Sequence, residues 1–262
     1  MKLYAVITRE REEKTRRIME ALVGGWGEPA CVWSGLLPRT GDFAVWGQTW
    51  DALDLIPQAR LEGRSFWHID NGYHKPARGG RFGYYRICRN GMSPLMIKNA
   101  PPLRHLDLET RMSSWRKTGN HVLIALPGLE YGKAMGMDMP YWASRIVDRV
   151  TQYTDRPIVM RPRDCTRPLL ADLHNCWAVV THSSNVATDA VLQGIPAFVA
   201  LTGPTAFLGN LTIDDIESPK LSDDRELWWR SLMAQQFTID EMQSGLAYEH
   251  LRLVDAEMCE AV

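Results

Sequence analysis

One stretch, residues 177–200 with the sequence WAVVTHSSNVATDAVLQGIPAFVA, constrains the fold more than any other. Its AVVT run combines apolar and β-branched side chains, which is typical of a strand buried on both faces of a parallel sheet. The apolar residues from Val186 to Leu192 have helical spacing, and Gly194 and Pro196 end that helix. Because AFVA then begins another strand, the sequence predicts a strand–helix–strand unit with a polar turn after its first strand.

The polar turn is formed by His182, Ser183, Ser184 and Asn185. In an open α/β sheet, ligands bind at the carboxyl ends of the strands, and the N-terminus of a helix offers free N–H groups to an anion. We therefore predict a phosphate or pyrophosphate site at Ser183, Ser184 and Asn185. The alternative is that the two serines only cap the helix and that Asp189 only complements the helix dipole.

Strand-like and helix-like segments alternate along both halves of the chain, first over residues 3–70 and again after about residue 120. Such alternation favours parallel sheets joined by right-handed crossovers. The proline-containing residues 92–114 lack sustained periodicity and suit a linker. The sequence thus predicts an α/β fold with two Rossmann-like domains and a C-terminal helical segment, over residues 1–115, 116–235 and 236–262 respectively.

Composition and charge restrict the class of protein. The chain has 262 residues, 45% of them apolar, which is enough for sizeable cores. Its 30 Lys and Arg residues balance 31 Asp and Glu residues, so the net charge gives no general attraction to a polyanion. The five cysteines include no CxxC pair, and no apolar run reaches the roughly 18 to 20 residues of a membrane span. These features predict a cytoplasmic protein with reduced thiols, without a signal peptide, a structural zinc site or a transmembrane segment.

A second informative segment, residues 68–76 with the sequence HIDNGYHKP, lies at the end of a predicted strand. It brings a carboxylate, an imidazole and an ammonium group to the edge of the sheet at which ligands bind, through Asp70, His74 and Lys75. We therefore expect this loop to carry chemistry. The alternative is that Asp70 begins an Asx-type turn completed by Gly72 and has no catalytic part.

A local excess of positive charge follows this loop, because residues 71–106 contain seven Lys and Arg residues and no acidic residue. Aromatic residues are interleaved with the cations. Cations contact phosphates and aromatic rings stack on bases, so the stretch is a candidate nucleic-acid surface. A donor pyrophosphate or an acidic sugar would need the same residues, and a solvated basic face without a ligand is the third interpretation. The predicted acceptor or phosphate contacts are Lys75, Arg78, Arg81, Tyr84 and Arg86.

Three segments resemble GT-B-type glycosyltransferases, in particular the soluble capsular-polysaccharide transferases of the Kdo-transferring type. Residues 181–196 resemble the serine-rich turn, acidic residue and Leu-x-Gly-x-Pro ending of that family. Residues 68–76 resemble its Glu-x-Gly-Tyr-x-(Arg/Lys)-Pro segment, and residues 159–164 its strand-ending Arg-Pro segment. Residues 229–245 also resemble small phage and prophage proteins. The resemblance implies two Rossmann-like domains facing a cleft, with C-terminal helices that cross back to the first domain.

This resemblance implies which residues bind a nucleotide-sugar donor. Ser183 and Ser184 would hold the donor phosphates, and Asp189 would hold the ribose. Arg161 takes the place of the residue before proline that helps to bind the phosphates. Since the family can have histidine at that place, the arginine keeps a phosphate contact but weakens the case for CMP-Kdo as the donor. The donor sugar therefore stays open.

The resemblance also implies a catalytic base. Asp70 stands where the family has its acidic residue, and in an inverting transfer one carboxylate can accept the proton of the attacking hydroxyl group. His74 is the second candidate for this role. No Asp-x-Asp motif follows a predicted strand, which favours a transfer that needs no metal ion and no cofactor beyond the nucleotide-sugar co-substrate.

These observations lead to three functional hypotheses. The first is a metal-independent glycosyltransferase that moves a sugar to a hydroxylated pyrimidine in phage DNA, which would contact the basic and aromatic stretch. The second is a glycosyltransferase acting on a capsular or other surface glycan. The third is a nucleotide- or DNA-binding module without enzymatic activity, in which Asp70 would be dispensable for ligand binding. The sequence leaves the nucleotide, the stereochemical outcome and the oligomeric state open.

Overall fold

The computed structural model describes residues 2–8, 12–34, 40–73, 83–94, 96–97, 112–134 and 136–259. The chain divides into two compact units. Unit 1 comprises Met1–Leu108 together with Trp229–Val262, and unit 2 comprises Glu109–Trp228. Boundaries of compact units need not coincide with those of domains, so the sequence-based limits at residues 115 and 235 stay a prediction.

Strands and helices alternate along most of the described chain. The strands are β1 (Leu3–Val6), β2 (Ala30–Trp33), β3 (Asp42–Trp46), β4 (Phe66–Asn71), β5 (Tyr85–Arg89), β6 (His121–Ala125), β7 (Ile158–Arg161), β8 (Cys176–Val180), β9 (Ala197–Phe198) and β10 (Gln236–Phe237). The α-helices are α1 (Glu12–Gly24), α2 (Trp50–Glu62), α3 (Leu129–Ala134), α4 (Met139–Thr151), α5 (Leu169–Leu173), α6 (Val186–Leu192), α7 (Arg225–Ala234), α8 (Ile239–Gln243) and α9 (Leu246–Cys259). Two 3-10 helices span Ala206–Leu208 and Ile213–Asp215.

Both units contain a sheet with the same order of parallel strands. The sheet of unit 1 has the order β10-β5-β4-β3-β1-β2, in which β5 and β10 are antiparallel to their neighbours. The sheet of unit 2 has the order β7-β6-β8-β9 and is parallel throughout. In each unit the first strand therefore lies between the second and the third. The predicted α/β fold with two Rossmann-like parallel sheets is confirmed.

Burial explains why the central strands of unit 2 appear as continuous apolar runs in the sequence. All five residues of β8 are buried, and its neighbour β6 is buried from Val122 to Ala125. A strand covered on both faces cannot alternate polar and apolar side chains, so it appears as a continuous apolar run. Among the described residues of unit 1, one apolar cluster contains Ile18 and Leu22 of α1, and a separate one contains Ile56 of α2.

The sequence analysis did not predict all of the strands. β5 lies in the basic stretch, and β10 has only two residues, so neither has a recognisable apolar period. The predicted helical segment over residues 236–262 contains two helices, α8 and α9, which are separated at Gly245 in the left-handed conformation with φ +89°. No helix in the described ranges is long and apolar enough to cross a membrane.

Gly194 fixes the end of α6 in unit 2. Its φ of +76° lies in the left-handed region, and a Cβ atom there would lie 2.0 Å from the carbonyl oxygen of Ser114. The neighbouring segment is held by two backbone hydrogen bonds, from Ser113 N to Leu192 O (2.9 Å) and from Arg116 N to Gly194 O (2.8 Å). A side chain at residue 194 would therefore displace the segment that leads into β6.

We expect Gly194→Ala to destabilise unit 2 by about 2 to 4 kcal/mol, because a left-handed alanine costs about 1 kcal/mol and the backbone clash adds about 1 to 3 kcal/mol. Gly136→Ala is the matched control, since Gly136 has a φ of +64° and open space around it. It should cost about 1 kcal/mol. Urea unfolding of both variants measures the difference, and equal losses would contradict the steric argument.

Candidate functional site

The strand order of unit 2 creates a point at which two loops diverge. The chain leaves β6 to form β7 on one side, then crosses to form β8 on the other side of β6. Loops that follow two such neighbouring strands run to opposite faces of the sheet and leave a crevice between them, which is where open α/β sheets bind ligands. Residues 126–128 follow β6, and residues 181–185 follow β8. The serine turn predicted from the sequence therefore lies at this switch point.

Hydrogen bonds hold the serine turn against the sheet. The Thr181 hydroxyl donates to the carbonyl oxygen of Ala125 at 2.6 Å and accepts from the N–H of Ser184 at 3.4 Å. Ser184 Oγ accepts from the N–H of Val186, the first residue of α6, at 3.3 Å. Ser183 makes no hydrogen bond to the residues that the structure describes.

The other two predicted donor-binding residues belong to α6. Asn185 is its N-cap residue and makes no capping hydrogen bond with its side chain. Asp189 is half-buried in the first turn. The predicted phosphate and ribose contacts of these residues stay predictions.

His182 connects the serine turn to two helices that sequence reasoning did not associate with it. Its Nδ1 atom lies 2.9 Å from the hydroxyl oxygen of Tyr131 on α3, and its ring centroid lies 6.3 Å from that of Trp142 on α4. Burial lowers the pKa of His182, so the ring is neutral at pH 7. The sequence could have indicated these contacts only through the positions of Tyr131 and Trp142. Both residues lie near the start of helices that follow β6, a strand of the same sheet.

Arg161 lies at the carboxyl end of β7, but its guanidinium group is already engaged. It forms an ion pair with Asp172 on α5 and donates through Nη2 to the carbonyl oxygen of Arg167 at 3.0 Å. Arg167 Nε also contacts Asp172, at 2.9 Å. The Arg161 and Asp172 side chains are only 14% and 6% exposed. Arg161 is thus part of a structural ion-pair network, and its predicted phosphate contact stays a prediction.

The network sets the ionisation of Asp172. Burial raises the pKa of this carboxyl group, but hydrogen bonds from Arg167 and Arg161 outweigh burial, and the pKa lies below its ordinary value. A lowered pKa in the folded state means that the ionised form stabilises the fold above the unfolded-state pKa of about 3.9. This stabilisation is lost as the pH falls through the folded-state pKa.

We expect Asp172→Asn to lower the free energy of unfolding at pH 7 by about 2 kcal/mol, since it removes charge-assisted hydrogen bonds from a nearly buried guanidinium group. The difference from the wild type should shrink below about pH 4, where the wild type loses the same interaction. Asp155→Asn, at an exposed carboxylate, is the control. Urea unfolding at pH 7 and pH 3 provides the measurement, and a pH-independent difference would contradict this account.

In unit 1, Asp70 lies near the carboxyl end of β4 and pairs across the strands with Arg86 of β5. Its Oδ2 atom lies 3.0 Å from Arg86 Nη2, and its Oδ1 accepts from the N–H of Asn71 at 2.7 Å. The N–H of Gly72 donates to the carbonyl oxygen of Tyr84 at 2.7 Å and continues the strand pairing. The predicted Asx-type turn is therefore wrong, because the N–H that such a turn would use is bound elsewhere, while the alternative that Asp70 has no catalytic part stays open.

Two cations lie at this edge of the sheet, Arg86 at Asp70 and Lys14 at Asn71. The Arg86 guanidinium also stacks over the Tyr73 ring at 5.0 Å. Lys14 Nζ of α1 lies 4.3 Å from the Trp46 ring centroid and 3.4 Å from Asn71 Oδ1. The sequence analysis did not predict Lys14 as a site residue. Its position could have indicated this, because Lys14 lies in the first turn of the helix after β1 and that turn lies at the carboxyl edge of the sheet.

The structure describes two of the predicted acceptor or phosphate contacts, Tyr84 and Arg86. Arg86 and Tyr84 are 8% and 7% exposed, so little of either side chain is available to a polymer. Their predicted contact with an acceptor stays untested, as does the base role of Asp70. The remaining predicted residues, His74, Lys75, Arg78 and Arg81, lie outside the described residues.

No group of three or more His, Cys, Asp or Glu residues suited to a metal ion occurs within the described ranges. A surface pocket of about 620 Å³ lies at the amino ends of β6 and β7, opposite to the serine turn. One wall carries an ion pair between Arg156 and Glu217 (2.9 Å), and Arg156 stacks on Trp177 at 4.3 Å. The charges of Arg156 and Glu217 therefore compensate one another, while the exposed Asp155 gives the rest of the lining a negative charge.

The fold and the switch-point site define a class: an α/β protein with two Rossmann-like units and a polar turn at the carboxyl edge of the second sheet. The chain is similar in structure to Thermosulfurimonas dismutans KpsC, beta Kdo 2,7 transferase, with a TM-score of 0.50, 12% identity, and coverage of 97% of this chain and 99% of that one. KpsC, beta Kdo 2,4 transferase, from the same organism gives a TM-score of 0.49, 10% identity, and coverage of 89% and 90%. No protein-family model and no curated protein matches the sequence. At this identity the likeness shows a shared fold, and function has to be argued from the site.

Proposed function

We propose that the protein is a glycosyltransferase that moves a sugar from a nucleotide-sugar donor to a hydroxyl acceptor. The observation that carries the proposal is the serine turn at the switch point of unit 2, where Ser183 has donors without an acceptor in the described chain. Its support is the structural likeness to a protein whose name describes Kdo transfer. Unit 2 carries the proposed donor site, and unit 1 carries the proposed base.

The donor site needs groups that hydrogen-bond to phosphate and to ribose. Ser183, Ser184 and Asn185 supply hydroxyl, amide and backbone N–H donors for the phosphate oxygens at the carboxyl edge of the sheet. Asp189 supplies a carboxylate, which accepts hydrogen bonds from ribose hydroxyl groups. With hydroxyl and N–H donors on the phosphates, the leaving nucleotide is stabilised without a metal ion.

Asp70 is the proposed base. The acceptor hydroxyl gives its proton to the carboxylate while its oxygen bonds to the anomeric carbon, and the bond from that carbon to the donor phosphate breaks. Arg86 and the Asn71 N–H each occupy one lone pair of a carboxylate oxygen, and the other lone pairs remain for the acceptor. The Asp70 side chain is 20% exposed, so solvent and substrate can reach it.

A glycan is the favoured acceptor. The structural neighbour is named as a Kdo transferase, and the two predicted acceptor contacts that the structure describes, Tyr84 and Arg86, are buried. The hydroxylated pyrimidine of phage DNA remains the rival acceptor, supported by the cations and aromatic residues of residues 71–106. Both acceptors present a hydroxyl group to the same base, so one experiment compares them.

Purified protein is incubated with UDP-, GDP-, CMP- and dTDP-sugars, with oligosaccharide acceptors or with DNA containing hydroxymethylated pyrimidines. Mass spectrometry then identifies the products. We expect donor consumption with a sugar-shifted oligosaccharide. A sugar-shifted nucleoside would move the acceptor to DNA, and binding of nucleotide without consumption of any donor would contradict the enzymatic proposal.

We expect Asp70→Asn to retain nucleotide binding and to lose transfer by about 10²-fold or more, because the amide cannot accept the proton. Asp54→Asn, at an exposed carboxylate of α2, is the matched control and should keep full activity. Calorimetry measures nucleotide affinity and steady-state assays measure kcat. Transfer at the wild-type rate by the Asp70 variant would remove Asp70 as the base.

A further inference from the structure

An exposed cation lies on one side of the loop that follows β6. Arg163 is two residues beyond the end of β7, and a Cβ atom on Gly128 would lie 2.6 Å from its Nη1 and 2.9 Å from its Cδ. The missing side chain of Gly128 is what lets Arg163 pass across this loop. Arg163 makes no ion pair with the residues that the structure describes. Its charge is therefore available at the carboxyl edge of the sheet.

A neutral imidazole lies on the other side of the same loop. Tyr131 follows Gly128 by three residues, and its hydroxyl contacts His182 Nδ1 at 2.9 Å. Because β7 and β8 flank β6, Arg163 and His182 approach the loop and the start of α3 from opposite sides. The loop at the switch point thus has a cation on its β7 side and an imidazole on its β8 side.

Tyr131 determines what the imidazole can offer. A neutral ring carries one proton, and a tyrosine hydroxyl that donates to Nδ1 leaves this proton on Nε2. Nε2 makes no hydrogen bond within the described part of the chain, and the side chain is half-buried beside Trp142. An N–H donor fixed in this way, with a cation on the other side of the same loop, is suited to a phosphate oxygen.

Arg161 cannot easily supply that cation, although it lies only two residues away. Both of its terminal nitrogens donate within the network of Asp172 and the Arg167 carbonyl group. Releasing it would leave Asp172 with one cation fewer in a nearly buried position, which is costly. The exposed Arg163 has no such partner among the residues that the structure describes.

We propose that Arg163 and His182 bind the phosphate of the nucleotide donor in unit 2, and that Tyr131 is a positioning residue for His182. This inference rests on the proposed donor site and adds to it the two side chains that recognise the anion. The serine turn contributes neutral donors, and Arg163 contributes the positive charge that balances the phosphate.

Titration calorimetry with UDP, GDP and CMP tests the proposal on the full chain. Arg163→Ala and His182→Ala should each raise the Kd of the bound nucleotide about tenfold or more, as expected for loss of a charge-assisted or oriented hydrogen bond. Arg163→Lys and His182→Gln should restore part of the affinity, since each keeps a donor. Lys117→Ala and His174→Ala are matched controls, because both side chains are exposed and precede β6 and β8 at the opposite edge.

The positioning role of Tyr131 has its own readout. In ¹⁵N-labelled protein, the ring nitrogen shifts of His182 should indicate the tautomer with the proton on Nε2, and Tyr131→Phe should shift the signals toward a mixture of tautomers. Tyr131→Phe should also raise the Kd for nucleotide, with an unchanged unfolding temperature as evidence that the fold is intact.

The outcomes separate this inference from the function on which it rests. Wild-type protein that binds none of the three nucleotides would contradict the donor site as a whole. Nucleotide binding that survives Arg163→Ala and His182→Ala within twofold would overturn the inference alone and leave the serine turn as the phosphate site. An Nδ1-protonated ring in the wild type would overturn the role of Tyr131.

Discussion

The parallel pairing of β6 with β8 is the constraint on which the arrangement of unit 2 depends. Val122 to Ile124 pair with Ala178 to Val180, and all of these residues are buried, so the two strands cannot separate without exposing the core. Because the chain forms β7 before it returns to β8, the loops after β6 and β8 diverge. The hydrogen bond from Thr181 to the Ala125 carbonyl group ties the two strand ends together and fixes the crevice between the loops.

Each unit also contains an ion pair between an arginine at a strand end and a carboxylate. Arg86 and Arg161 lie at strand ends, and each is paired with a carboxylate, Asp70 and Asp172 respectively. A guanidinium group that enters a nearly buried position without a partner is costly, so an arginine that turns inward from a strand is expected to meet an acid. The two carboxylates differ in how far solvent can reach them. Asp70 keeps 20% of its side chain exposed, whereas Asp172 keeps only 6%.

The proposed transfer uses these features separately. A neutral imidazole, serine hydroxyl groups and an exposed arginine make an anion site without burying an uncompensated charge. The carboxylate of Asp70 is held by Arg86 and by a backbone N–H, which fixes its orientation for proton transfer. The same fold carries many chemistries, so these side chains, and not the strand order, distinguish a sugar transferase from a binding module.

The sequence by itself determined the α/β class and the strand, turn and helix over residues 177–200, because buried strands and Gly and Pro stops are local signals. It also located Asp70 at the end of β4. The sequence could not show that Arg161 forms an ion pair with Asp172, that β5 pairs with β4, or that α8 and α9 are separated at Gly245. The contact between Tyr131 and His182 joins residues 51 apart, and that between Gly128 and Arg163 joins two loops. Only the tertiary structure decided these contacts, since the strand order that brings the segments together is set by packing of the whole sheet and not by any single segment.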